Sequence, residues 1–261
     1  VGVLQKADNL EVVPVRFAAA LAVGDTQYSL AQNEIIGLLK DPNPNVVLAA
    51  SYAVWRLGNE DYYKVLCSSI ASDDQTLRAN AALLLGKSGR QDGIRYLYWT
   101  LRRTDSSDKV VTQAAEAIAM LKDPAIYPKL WTRLISAYAD DRVMGIRAMG
   151  ALATPEAKNA LTTMLDDPVP EVRLAAAEQL GRLGDRIGEA EILAVFEKNL
   201  LSGLDEQSQE RIKMLAAMAI GEVATAETYK YLPPLLQDSS KVVRLSAAKA
   251  VLRASAGRLG R

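Results

Sequence analysis

Three features of the sequence predict an all-α fold, a solenoid of stacked helix pairs. A motif of near-constant spacing recurs along the chain. Each copy carries an alanine-rich apolar stripe at helical period. Strand signals are weak, because apolar/polar alternation is lacking and aromatic residues are only 6% of the 261.

The motif is clearest in "DPVPEVRLAAAEQLGRLGD", Asp167–Asp185. Asp167 is placed to accept hydrogen bonds from the free N–H groups of a helix start. Pro168 and Pro170 fall in the first turn, where backbone N–H groups have no intrahelical partner. Gly184 offers a left-handed stop. Val172, Ala176, Leu180 and Leu183 recur at helical spacing between these marks.

Laying Arg173 over similar positions gives Arg16, Val47, Arg78, Val111, Met144, Lys213 and Arg244, with steps of 31, 31, 33, 33, 29, 40 and 31. Met144 is the poorest match. The stripe persists as Val46, Ala50, Val54 and Leu57, then Leu77, Ala81 and Leu85. It continues as Val110, Ala114, Ile118 and Leu121, and as Ile212, Ala216, Ile220 and Val223. A second amphipathic segment lies between copies, such as "YYKVLCSSIA" or "EILAVFEKNLL". Each copy therefore reads as two antiparallel helices. One pair cannot bury its apolar face alone, whereas stacked pairs share a continuous core. Alanine and glycine let the second helix of each pair lie close to its neighbours.

The pattern V-R-x-x-A-A-x-x-L-G-x-L-G resembles the HEAT repeat family in its short bacterial-type form. It is similar to the HEAT-like repeats of the phycobilisome lyases over about residues 14–255. Copies two, three and six match best. Copy five departs, since Arg147 falls where others place Ala. The fold class is then all-α, a right-handed α-solenoid of about eight stacked HEAT-like helix pairs. It is expected to run over 1–261 as a single domain, with copies centred near 16, 47, 78, 111, 144, 173, 213 and 244.

Composition narrows the chemistry. Histidine is absent, so no imidazole triad, shuttle or His-metal cluster can be built from this chain. Lys plus Arg equals Asp plus Glu at 31 each, which argues against wrapping nucleic acid phosphates. No apolar run reaches the length of a membrane span. Cys67 is the single cysteine; it permits no intramolecular disulfide, fits a cytoplasmic location, and reads as a buried thiol without a base to activate it. "GKS" at Gly86–Ser88 lacks the first glycine of a phosphate loop, position 81 being Ala81, and ends a helix. Asp41, Asp73, Asp74, Asp166, Asp167 and Asp238 precede second helices and read as caps. The series Arg16, Arg78, Arg173 and Arg244 reads as structural, pairing with a neighbouring copy. Arg95, Arg102, Arg103 and Lys109 form a basic cluster, a solvated face or a patch for an acidic partner.

One pattern points to binding. Second-helix positions away from the stripe carry Phe17, Leu48, Tyr52, Trp55, Arg56, Leu83, Met149, Leu174, Met214 and Met218. In solenoids of this kind second helices line the concave surface, so an exposed apolar strip there is expected to dock a protein or extended peptide. The residues equally suit packing against flanking copies. Trp55 stands where copies three, six and seven have glycine. The expected function is a non-catalytic interaction scaffold with no cofactor and no metal. The resemblance adds the alternative of a subunit of a bilin lyase-like enzyme acting on a chromophore-bearing protein. A nucleic-acid solenoid is disfavoured, because Glu116, Glu178 and Glu222 interrupt Arg56, Lys87, Arg182 and Arg253. The sequence leaves open the partner, any oligomer, and whether "SAGRLGR" is a frayed tail or the edge of a larger chain.

Overall fold

The computed structural model describes residues 12–198 and 200–259, with side chains as far as residue 255. Of "SAGRLGR", only Gly260 and Arg261 lie outside the described residues. The helices fall into two units, the chain passing from one to the other between Asp123 and Pro124. The N-terminal unit holds α1 (Val13–Thr26), α2 (Gln32–Leu38), α3 (Pro44–Arg56), α4 (Tyr63–Ser69), α5 (Gln75–Ser88), α6 (Ile94–Arg102) and α7 (Asp108–Met120). The C-terminal unit holds α8 (Tyr127–Leu134), α9 (Ala139–Leu152), α10 (Pro155–Thr163), α11 (Pro170–Arg182) and α12 (Glu189–Glu197). It continues with α13 (Glu206–Val223), α14 (Ala226–Tyr229), α15 (Leu232–Leu236) and α16 (Lys241–Leu259). No strand occurs among the described residues. The fold is all-α, and within each unit short first helices alternate with longer second helices in solenoid fashion.

The second helices stack directly on one another: α1 on α3, α5 on α7, α9 on α11, α11 on α13 and α13 on α16. Glycine sets that spacing. A Cβ on Gly86 would sit 2.7 Å from the Ala117 Cα. One on Gly181 would sit 2.7 Å from the Val223 backbone nitrogen, and one on Gly221 2.8 Å from the Ala250 Cα. Val172, Ala176 and Leu180 are fully buried, as are Val110, Ala114 and Ile118. The alanine stripe is therefore core, and its small side chains bring the backbones together.

The turns before α3, α7, α11 and α16 are each held by an arginine or lysine from the preceding second helix. Arg16 donates from Nε and Nη2 to Asp41 at 2.7 and 3.0 Å. Arg142 does the same to Asp167 at 2.7 and 2.9 Å. Lys213 reaches Asp238 at 2.8 Å. Arg78 reaches Asp105 at 3.1 Å. The carboxylates of Asp41, Asp167 and Asp238 in turn accept the N–H groups of Asn43, Val169 and Ser240. Three of the predicted caps therefore brace the turn instead. Asn43 caps α3, and Val169 occupies the N-cap of α11 without a side-chain bond. Asp74 does cap α5, accepting from the N–H groups of Thr76 and Leu77.

These pairs correct the register of copy five. Arg142, not Met144, occupies the arginine position, because its pair with Asp167 repeats that of Arg16 with Asp41. The steps into and out of copy five then become 31 each (111 to 142, and 142 to 173). Arg147 no longer stands at an alanine position. It is the counterpart of Glu178, on the open face of its helix.

Candidate functional site

The residues expected to form an apolar docking strip separate into two groups. Leu48, Tyr52, Met149 and Leu174 are at most 1% exposed, and Trp55 is 8% exposed. They belong to the core and present nothing to a partner. The reason is geometric: a second helix stacked on both sides loses its flanks as well as its inner stripe. Trp55 packs between Tyr52 and Tyr63, with ring centroids at 6.0 and 5.4 Å, and its Nε1 donates to Glu60 at 3.3 Å. Phe17, Arg56, Leu83, Met214 and Met218 are half-buried. Leu83 and Met218 share a turn position with Arg147, Glu178 and Lys249, one residue per copy.

Charge, more than apolar area, occupies this face. In the N-terminal unit Asp25, Lys87 and Arg56 on this face are all partnered. Asp25 of α1 accepts from the Tyr52 hydroxyl of α3 at 3.0 Å and pairs with Lys87 of α5 at 2.9 Å. Arg56 donates to the Gly24 carbonyl at 3.2 Å and lies over Trp55.

The C-terminal unit differs. Glu178, on α11, is 2% exposed. Its Oε1 accepts from Arg182 Nη2 at 2.9 Å, while its Oε2 is buried with no partner. The same Arg182 nitrogen reaches Glu222 Oε1 on α13 at 3.4 Å, and Arg253 of α16 donates to Glu222 Oε2 at 3.2 Å. Burial pushes the Glu178 carboxyl above the ordinary glutamate range. Arg182, Arg147 and Lys249 oppose that rise, and Glu222 adds to it. Arg147 and Lys249 are exposed and make no hydrogen bond or ion pair among the described residues. A cleft of about 20 Å³ opens beside Glu178, walled by Met218, Gly221, Glu222, Lys249, Ala250 and Arg253. That is room for a single water-sized group.

A larger open cleft of about 640 Å³ lies in the N-terminal unit, between the first helices α4 and α6. Arg90 stacks 4.1 Å over the Tyr63 ring and donates to both Asp92 and Glu60. The Tyr63 hydroxyl donates to Asp92 at 2.9 Å. Cys67 borders this cleft half-buried instead of enclosed in the core, and burial pushes its thiol up. A protonated thiol beside saturated ion pairs is poorly suited to nucleophilic chemistry. Among the described residues no group of three or more His, Cys, Asp or Glu can hold a metal ion.

The basic cluster is partly spent on its own surroundings. Arg95 covers the Tyr96 ring, and Arg103 covers Trp99 while pairing with Asp105. The arrangement around Glu178 was foreshadowed in the sequence only as acidic interruptions of a basic face. The two-residue shift in copy five hid Arg147, and the 31-residue step from Arg142 to Arg173 was the signal that would have recovered it.

Fold and face together define an α-helical repeat protein whose second helices carry a charged, partly unsatisfied surface. A family model described as HEAT repeats matches residues 64–143 and 127–196, together just over half of the chain. The chain belongs to the HEAT repeat family. Among solved structures it is similar to the complex of CpcE and CpcF of phycocyanin lyase from Nostoc sp. PCC7120. That likeness has 17% identity and a TM-score of 0.50, over 96% of this chain and 91% of that one. A match to human deoxyhypusine hydroxylase in complex with glycerol has 17% identity and a TM-score of 0.38, over 90% of this chain and 99% of that one. No curated protein matches the sequence. No described helix is long and apolar enough to cross a membrane.

Proposed function

We propose that the chain is a non-catalytic scaffold that binds a protein or extended peptide on the second-helix face of its C-terminal unit. One observation carries this: the buried Glu178 Oε2 lacks a partner beneath the unpaired cations Arg147 and Lys249. Buried polar atoms are almost always hydrogen-bonded, so an orphan at an open face calls for a group from outside. Half-buried Met218 beside it supplies an adaptable apolar contact. A photo-crosslinking residue at position 147 or 249 tests the proposal, with one at Glu156 of α10 as control. Crosslinking to one protein from 147 and 249 but not 156, competed by unlabelled chain, supports it. Equal yields from all three positions overturn it.

A second reading is a subunit of a bilin lyase-like enzyme acting on a chromophore-bearing protein. Its support is the likeness to the phycocyanin lyase complex over nearly the whole of both chains. Mixing the chain with a bilin and recording the absorbance spectrum tests it; an unchanged spectrum removes it.

A further inference from the structure

The preceding proposal leaves the chemistry of the partner open, and the charges around Glu178 narrow it. We propose that the face formed by α9, α11, α13 and α16 docks an acidic protein segment, one carboxylate of which shares a proton with the unpartnered oxygen of Glu178. This rests on the reading of that face as a docking surface.

The charge balance selects the partner. Six charged side chains face the site: Arg147 from α9, Glu178 and Arg182 from α11, Glu222 from α13, and Lys249 and Arg253 from α16. Four are cations and two are carboxylates. Arg182 and Arg253 are committed to Glu178 and Glu222. Arg147 and Lys249 remain with no committed partner and are exposed. An incoming ammonium group would meet four like charges. An incoming carboxylate meets two free cations at the rim and, inside, an oxygen that can carry a proton.

Two carboxyl groups in contact cannot both stay ionised, so one proton bridges them. Glu178 is the natural holder, since burial already favours its neutral form. Its O–H then donates to the partner carboxylate, a charge-assisted hydrogen bond. The cleft admits one oxygen of such a group and nothing bulkier. A nucleic acid fits less well, because Glu178 and Glu222 interrupt the cations that a continuous phosphate row would need.

Binding must therefore take up a proton and tighten as pH falls. A fluorescein-labelled peptide of alternating Glu and Ala is the probe, read by anisotropy at low salt between about pH 5 and pH 8, where glutamates of the free peptide stay largely ionised. Wild type is expected to bind more tightly toward the acidic end. Glu178→Gln keeps a donor without titrating, so its affinity is expected to match the acidic wild-type value at every pH. Arg147→Ala with Lys249→Ala removes two exposed charges, leaves the core intact, and is expected to weaken binding by about tenfold.

An unchanged affinity in the double variant overturns the proposal, as does an identical pH slope in Glu178→Gln. Equal or tighter binding of labelled poly-uridine assigns the face to nucleic acid and also overturns it. If the peptide fails to bind while crosslinks from 147 and 249 still capture one protein, the acidic-partner proposal is overturned. The docking surface then stands without the acidic partner.

Discussion

Arg142 and Asp167 meet in a two-pronged ion pair, Nε to Oδ2 at 2.7 Å and Nη2 to Oδ1 at 2.9 Å, 25 residues apart in sequence. Arg16 and Asp41 repeat it at the same separation. Both partners of each pair are almost wholly buried. Removing one partner strands a charge inside the protein. Arg142→Ala is expected to cost about 3–5 kcal/mol, whereas replacing both partners with apolar residues of similar volume is expected to cost far less. Urea denaturation of single and double variants checks this. Equal losses in the two would show that the pair acts through packing and not through charge.

Gly221 and Gly37 both lie in helices with ordinary backbone angles, yet alanine should act oppositely at the two. A Cβ on Gly221 meets the Ala250 backbone at 2.8 Å, whereas one on Gly37 meets nothing within 4 Å. At Gly37 the gain in helix propensity is free to appear, about 0.5–1 kcal/mol of added stability. At Gly221 the stacked helix must move, and a net loss of about 1–3 kcal/mol is expected. Thermal melts of the two variants give the sign directly. A stabilised Gly221→Ala would mean that α13 and α16 are not held at this spacing.

Cys67 should react slowly. Burial holds its thiol up, and hydrogen bonds with Tyr63 and Tyr96 offset only part of that. Alkylation by iodoacetamide is expected to keep rising with pH beyond the point where a free cysteine levels off, at about one unit above pH 8.5. Tyr96→Phe should move the profile further up. A plateau near that of a free thiol would contradict the assignment.

How much of this was legible beforehand depends on the distance over which each feature is decided. The stripe of Val172, Ala176 and Leu180 is a local pattern, and it predicted both helix and core. The arginine series also read as structural: Arg16, Arg78 and Arg173 pair with Asp41, Asp105 and Glu191, whereas Arg244 holds carbonyls of its own turn. The face did not. Tyr52 and Trp55 point away from the stripe, and whether that direction is solvent or a neighbour depends on how closely second helices stack. That spacing is set by Gly24, whose absent Cβ leaves room for the Tyr52 ring only 2.7 Å away. The site around Glu178 draws on four helices of four different copies. Its unsatisfied oxygen is invisible until those helices are assembled.

Glu178 should make the protein less stable as pH rises. Its folded carboxyl titrates above the ordinary glutamate range because burial disfavours the charged form. The unfolded chain releases this proton near pH 4.3, while the folded chain holds it longer. Between the two the folded state binds more protons, so unfolding free energy falls with increasing pH. Below the unfolded value the burden is absent, and above the folded value it is fully present. Glu178→Gln removes the titration and keeps an oxygen for Arg182. Urea midpoints of both proteins, followed from about pH 4 to pH 8, should therefore diverge, with the variant progressively the more stable. A constant difference across that range would mean that Glu178 titrates alike in the folded and unfolded chain, the surrounding cations cancelling the effect of its burial.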